Sequence, residues 1–261
     1  MSRIKNAFLN DKGEAKKAFI GFITGGDPSI EKSEEFVMEM IRGGADLVEI
    51  GIPFSDPIAE GKVIQQANIR ALRAGTTLAK IFTLVEKLRQ KTQTPLVFLT
   101  YLNPVFHYGY EKFFKKCRAA GVDGIIIPDL PFEEQGELRS IAAACEVDVI
   151  SLIAPTSRQR IGEIAAVATG FLYIVSSMGV TGIRSKIETD LAAIIEAAKS
   201  RTKVPAAVGF GINTPSQAAE IAKTADGVIV GSALVKIVEE YGEQAGPKLY
   251  EYVKAMKEAI A

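Results

Sequence analysis

Glu49 and Glu60, within the stretch LVEIGIPFSDPIAEG at 47–61, are the residues of this sequence best suited to moving protons. Glu49 sits among Leu47, Val48, Ile50 and Ile52, a run that reads as a buried strand. Burying an unpaired carboxylate costs several kcal/mol or raises its pKa, so a strand carries one for a partner or for a reaction. Glu60 follows a loop with two prolines and the turn residues Ser55 and Asp56, which has room to fold back and bring both acids to one cleft. The alternative is structural: Glu49 pairs with a buried Arg or Lys, and Glu60 caps the next helix. Three glycine-bearing segments, GVTG at 179–182, GFGIN from Gly209 and GSA from Gly231, each lead toward a predicted helix. Backbone N–H groups at helix N-termini bind phosphate, and glycine allows close approach. Neither GxGxxG nor GxxxxGK[ST] is present, because position 214 is Thr and no such lysine motif occurs, so dinucleotide and nucleoside-triphosphate loops are disfavoured. Tyr173 offers either packing or a hydroxyl near the acids. Phe22 and Phe210 would give an aromatic substrate a dry surface. His107, the single histidine, has no serine pattern around it and reads as a surface or interface residue.

The elements that must position these groups alternate in type. Apolar runs predict strands at 19–24, 47–52, 96–102, 124–128, 149–154, 171–176, 204–210 and 227–230. Helical spacing predicts helices from Ser29 to the stop at Gly43 and Gly44, then at 61–74, 78–91, 111–120, 133–145, 157–168, 189–200, 214–223, 232–240 and 244–259, after a short one at 4–10. Eight strands too apolar to face water on one side imply a parallel sheet covered all round. Closing it buries both edges, so the expected fold is α/β: a single (β/α)8 TIM barrel over 1–261 with extra N-terminal and C-terminal helices, the competitor being an open doubly wound sheet. In a barrel the active site lies at the strand C-terminal ends, which is where both acids and all three glycine segments fall.

Composition narrows the partners. The 261 residues carry 31 basic and 31 acidic side chains without a long single-sign run, which favours neither nucleic acid nor an anionic membrane. Cys117 and Cys145 lack CxxC spacing and read as core thiols of a reducing compartment rather than metal ligands, so no metal is expected. No signal-peptide block and no run of ~18 apolar residues is present, so the reading is cytoplasmic, with a small molecule or a protein as partner.

The ordered pieces FITGGDP (22–28), VEIGIPFSDPIAEG (48–61), YLNPVFHYG (101–109), PDLPFEE (128–134), GVTGIR (179–184), VGFGI (208–212) and VGSALVK (230–236) resemble the α subunits of tryptophan synthase along the whole chain. The resemblance implies a lyase that splits indole-3-glycerol phosphate into indole and glyceraldehyde 3-phosphate by retro-aldol chemistry, with no cofactor on this chain. The partner it implies is a pyridoxal-phosphate-bearing β subunit, in an α2β2 heterotetramer of tryptophan biosynthesis, that receives the indole. It assigns Glu49 as proton shuttle, the acid at 60 to the ring nitrogen and Tyr173 to the glycerol end. Gly182, Gly211, Gly231 and Ser232 would bind the phosphate, Thr181 would lie on a closing loop, and Phe22 and Phe210 would flank the indole. The partner surface would comprise exposed strand-top loops with Pro53, Asp56, Pro57, Asn103, Phe106, Asp129 and Pro131. One departure stands out: the family pattern has Asp-Gly-Pro where this chain has Glu60, Gly61 and Lys62. The added methylene matters because a misplacement of about 1 Å can lower a rate ~100-fold. Lys62 is expected to favour ionised Glu60 if the two approach. Rival readings are a lysine Schiff-base lyase, a free-standing indole-releasing lyase, and a weakly active subunit that mainly regulates its partner.

Overall fold

The computed structural model describes residues 3–155, 160–175, 191–209 and 211–261. Among them are nine strands, β1 (Ala18–Thr24), β2 (Leu47–Gly51), β3 (Leu96–Leu99), β4 (Gly124–Ile126), β5 (Asp148–Val149), β6 (Ser151–Ile153), β7 (Leu172–Val175), β8 (Ala206–Gly209) and β9 (Gly227–Val230). They pair in parallel in the order β5-β4-β3-β2-β1-β9-β8-β7-β6. The two ends of that order are consecutive in the chain. β5 pairs with β4 and β6 with β7, only Ile150 lies between them, and the Ile150 N–H still reaches the Ile125 carbonyl at 2.9 Å. The predicted fifth strand, 149–154, is therefore one barrel stave in two segments, and the sheet closes through it into the expected barrel.

The helices are α1 (Arg3–Ala7), α2 (Ile30–Arg42), α3 (Lys62–Arg73), α4 (Leu78–Arg89), α5 (Leu102–Tyr108), α6 (Tyr110–Ala120), α7 (Gly136–Ala144), α8 (Ile161–Ala166), α9 (Leu191–Lys199), α10 (Pro215–Ala222), α11 (Ser232–Tyr241) and α12 (Ala245–Ile260). Their apolar faces meet the outside of the barrel in one large core, as at α2, where Ser29 caps the start and Phe36, Val37 and Met40 are buried. A second core fills the barrel itself with Ile20, Leu47, Val97, Ala207 and Ile229, and Ile4 and Phe8 close its floor. Phe22, Glu49 and Val97 are register partners across β1, β2 and β3. Residues in register point to the same face, so Glu49 takes a place in the barrel interior that an aliphatic side chain would otherwise fill.

Three aspartates staple the barrel floor. Asp46, Asp123 and Asp226 directly precede or lead into β2, β4 and β9, in the local sequences GAD, GVD and TAD. Each donates its own N–H to a carbonyl of the neighbouring strand, those of Phe19, Leu96 and Ala206 respectively. Each then accepts the N–H of that same residue on its carboxylate at 2.8 Å. Cations complete the staples: Lys16 and Lys257 at Asp46, Arg3 and Arg89 at Asp123, and Lys199 at Asp226.

The predicted strand 96–102 is corrected. It stops at Leu99, and α5 begins at Leu102. The N-cap Tyr101 supplies no side-chain cap, and the Leu102 N–H is satisfied instead by Asp129 Oδ1, 27 positions away, at 2.9 Å. Pro104 sits in the first turn of α5, where a missing N–H is harmless. Local sequence could not show a cap donated from another loop.

Candidate active site

A cavity opens at the C-terminal ends of the strands, lined by Glu49, Glu60, Tyr173, Phe22, Gly211, Gly231 and Ser232 together with an apolar wall that includes Ile64, Leu99, Ile126, Leu152, Ile212 and Ile229. Its mostly apolar lining with a few polar groups suits a small aromatic ligand. The residues singled out from the sequence thus meet in one pocket: the two acids, the tyrosine, one of the two aromatic flanks and two of the three glycine loops. Thr181, Gly182 and Phe210 lie outside the described residues.

Glu49 is 1% exposed, and neither carboxyl oxygen has a hydrogen-bond partner among the described residues. The buried Arg or Lys partner of the structural alternative is therefore not found there. Burial alone pushes its pKa up to about 8, so the group holds its proton near neutral pH. Tyr173, in β7, is buried beside it; burial, then the charge of Glu49, pushes its hydroxyl far above the usual phenol range. Gly209 makes room for that ring: a Cβ there would meet the Tyr173 hydroxyl at 2.5 Å.

Glu60 precedes α3 and does not cap it by its side chain, for the N-cap is Gly61 with no side-chain cap bond. Its Oε2 accepts the Asn68 side-chain amide at 2.6 Å, and the hydroxyl of Tyr101 beside it also favours the charged carboxylate. Burial pushes Glu60 up to about 7, against the pull of those two donors. The expectation for Lys62 is corrected: it is exposed and makes no ion pair among the described residues, and the groups acting on Glu60 are Asn68 and Tyr101. Lys62 starts α3 with its long side chain turned to water, where an ammonium keeps its hydration.

At the far side, Gly231 is the N-cap of α11, so the main-chain amides of this helix start, with Ser232 and Ala233, face the cavity. Gly211 adopts φ 84°, a left-handed conformation that glycine takes without strain. Oriented N–H groups at a helix start are an anion site. No lysine lines the cavity among the described residues, which removes the Schiff-base reading from this wall. Among the described residues no group of three or more His, Cys, Asp or Glu is placed to hold a metal, and no helix is long and apolar enough to cross a membrane.

The residues assigned to a partner surface divide. Asp56, Asn103, Phe106 and Pro131 are exposed, and Pro57 and Asp129 are half-buried. Pro53 is buried, which corrects its place in an exposed loop: it follows directly on the buried Ile52, before the chain reaches the exposed Ser55 and Asp56. Phe106, at 68%, and Ile58, at 73%, are the most exposed large apolar side chains among the described residues. His107 is exposed, as expected. Asn68 and Tyr101 were not singled out from sequence. Asn68 had a signal, a lone polar residue on the face of α3 that buries Ile64, Ala67 and Ala71.

Comparison with known proteins agrees with this geometry. The sequence model of the family described as tryptophan synthase alpha chain matches residues 8–261. The chain is 47% identical over 262 residues to the tryptophan synthase alpha chain of Citrifermentans bemidjiense, covering 100% of this chain and 98% of that one. It is 46% identical over 260 residues to that of Lacticaseibacillus casei, covering 100% and 96%. The crystal structure of the alpha chain from Legionella pneumophila superposes with a TM-score of 0.88 at 35% identity, covering 100% of this chain and 97% of that one. A chain from a structural study of mutual activation in the tryptophan synthase α2β2 complex of Pyrococcus furiosus superposes with a TM-score of 0.86 at 37% identity, covering 92% and 97%. This chain belongs to the tryptophan synthase alpha chain family.

Proposed function

We propose that Glu49, Glu60 and Tyr173 carry out, in one barrel domain, the reaction of this family. That reaction is the cleavage of indole-3-glycerol phosphate to indole and glyceraldehyde 3-phosphate. The observation that carries the assignment is Glu49, a carboxyl group without a partner among the described residues, buried in the wall of an apolar cavity whose opposite end presents helix N–H groups.

The bond to be broken joins the indole ring carbon to a carbinol carbon. Protonated Glu49 gives its proton to that ring carbon, which interrupts the aromatic system and leaves positive charge at the ring nitrogen. The carboxylate so formed takes the hydroxyl proton of the glycerol chain. The O–H electron pair becomes the aldehyde C=O, and the carbon–carbon pair returns to the ring and restores indole. Glu49 ends the cycle protonated as it began. A group raised to about 8 starts in the form this order requires. Glu60, held by two donors, accepts the ring N–H and offsets the charge there. Tyr173 contacts the glycerol end. Gly211, Gly231 and Ser232, with Gly182 outside the described residues, hold the phosphate, Thr181, also outside them, belongs to the loop that closes over Glu60, and Phe22 and Phe210 flank the indole.

No step needs a cofactor on this chain; pyridoxal phosphate belongs to the β subunit, which takes the indole on to tryptophan. The chain assembles with that subunit as α2β2, through the exposed Asp56, Asn103, Phe106 and Pro131 and the adjoining Pro57 and Asp129. Exposed Phe106 and Ile58 at the strand tops support this, since interfaces bury aromatic and aliphatic anchors within a polar rim. Two buried free thiols, Cys117 and Cys145, support a cytoplasmic setting.

The test is indole release from indole-3-glycerol phosphate, by the chain alone and with a β subunit. Glu49→Gln is expected to abolish release, alone and in the complex, with the fold unchanged by circular dichroism. Near-normal turnover in that variant would remove Glu49 from the mechanism. Equal turnover with and without the β subunit would instead favour a free-standing lyase.

A further inference from the structure

We infer that Asn68 and Tyr101 form a two-sided clamp that holds the Glu60 carboxylate as a hydrogen-bond acceptor aimed at the substrate ring, which makes both of them positioning residues for the reaction. The inference rests on the role given to Glu60 above.

The clamp comes from two elements that are themselves fixed. Asn68 is 3% exposed on the buried face of α3, and its amide nitrogen reaches Glu60 Oε2 at 2.6 Å. The same helix is tied to the exit of β1 by Arg70, whose Nε and Nη2 donate to Asp27 Oδ1 and Oδ2 at 2.9 and 2.8 Å. Asp27 is 1% exposed, and Arg70 Nη1 reaches on to Glu239 of α11 at 3.3 Å. Two fork bonds and a third contact set the rotation of α3, and with it the direction in which Asn68 points.

Tyr101 approaches from the turn after β3, where it is the N-cap of α5. Its ring stacks on Phe54 with centroids 5.3 Å apart, and its oxygen accepts the Ala59 N–H at 3.1 Å. A phenol has one hydrogen to donate, and with the oxygen already accepting from Ala59 that hydrogen is available to the neighbouring Glu60 carboxyl, whose charged form Tyr101 favours.

This explains how the chain works with glutamate where the family pattern has aspartate. The extra methylene adds a rotor, and two donors from separate elements fix it. They also pull it toward the charged form. In an apolar cavity a free carboxylic acid would keep its proton, whereas donors to the anion pull toward the ionised form. Only the ionised form presents acceptors alone to a ring N–H.

The titratable groups facing Glu60 among the described residues are Glu49 on β2, Tyr173 on β7 and Tyr101, with Asp129 beyond Tyr101. Lys62 is exposed, and the Arg70 guanidinium is engaged by Asp27. None of these supplies a cation to Glu60, which leaves Asn68 and Tyr101 as the groups that favour its charge.

The experiment is a carbon-13 NMR titration of the Glu60 carboxyl in the full chain, its signal identified by loss in Glu60→Gln, run beside the pH profile of kcat/KM. Asn68→Leu and Tyr101→Phe each remove one donor at nearly constant volume. Each is expected to raise the Glu60 midpoint by about one pH unit, the size of a charge-assisted hydrogen bond. The acidic limb of kcat/KM should follow, so activity falls ~10-fold on that limb and recovers at higher pH. A merely structural role would lower activity and melting temperature at every pH and leave the midpoint in place. Midpoints within about 0.3 unit of the parent in both variants would overturn the clamp. A midpoint that moves without the kcat/KM limb would uphold the clamp and remove Glu60 from the reaction instead.

Discussion

The floor and the mouth of this barrel hold the same kind of chemical group in opposite conditions. At the floor, Asp46 and Asp123 are buried against the strand starts with two cations each, and Asp226 with one, and all three also accept a backbone N–H. At the mouth, Glu49 has no partner among the described residues and Glu60 has only neutral ones. Paired and hydrogen-bonded carboxylates hold a structure together, whereas an acid left in apolar surroundings keeps a transferable proton. The barrel concentrates its ionic stabilisation at one end and leaves its reactive acids without a cation, among the described residues, at the other, which matches the division of roles between the faces of this fold.

The largest effect should come from breaking the floor. Asp123→Ala strands Arg89, whose side chain is 10% exposed, and orphans the Leu96 N–H. Removing one side of such a buried pair is expected to lower unfolding stability by about 3–5 kcal/mol in urea titrations, while indole release per folded molecule is retained. A loss under about 1 kcal/mol would mean that the floor is not stapled by charge.

Next in size is a gain at the mouth. The pKa of Glu49 rises from 4.5 in the unfolded chain to about 8 in the fold, so the native state holds a proton that the unfolded chain releases. Stability on this account is full below about pH 4.5 and is lost as the pH rises through the folded value. Glu49→Gln should therefore unfold like the parent at low pH and be more stable by a few kcal/mol near pH 8, which thermal melts at the two pH values will read. Equal melting temperatures for parent and variant at both would show that Glu49 is solvated in the folded state.

The smallest effect sharpens the contrast. Lys62→Met removes the nearest cation in sequence to Glu60 but one that points to solvent. It is expected to move the acidic limb of kcat/KM by less than about 0.3 pH unit, because water screens an exposed charge. A larger upward move would bring Lys62 back as a partner of Glu60.

Much of this was legible beforehand because it depends on local pattern. Ser29 and Gly43 bound α2 as caps should, and seven apolar runs emerge as single strands. A carboxylate in an apolar run marked Glu49 without any knowledge of the pocket. The departures in the fold and around Glu60 share a cause as well: they involve groups brought from far along the chain. Asp129 caps α5 from 27 positions away, Tyr101 reaches Ala59 across 42, and the stave at 149–154 breaks at Ile150 because it must serve β4 and β7 in succession.

The floor aspartates show the same limit in another form. GAD, GVD and TAD recur before strands in plain view, yet nothing local says that each carboxylate will accept a neighbouring strand's N–H. Closure of the barrel makes those neighbours.

The order of amino acids by itself determined the alternation of strand and helix, the burial of Glu49 and the family to which the chain belongs, since periodicity, capping and motif are properties of residues near one another. Only the tertiary structure decided that Glu49 would be left without a partner among the described residues while Glu60 received Asn68 and Tyr101, and that Lys62 would face water. Protonation in a protein is set by the few ångströms around a group, and those surroundings are assembled from strands that the chain brings together only when it folds.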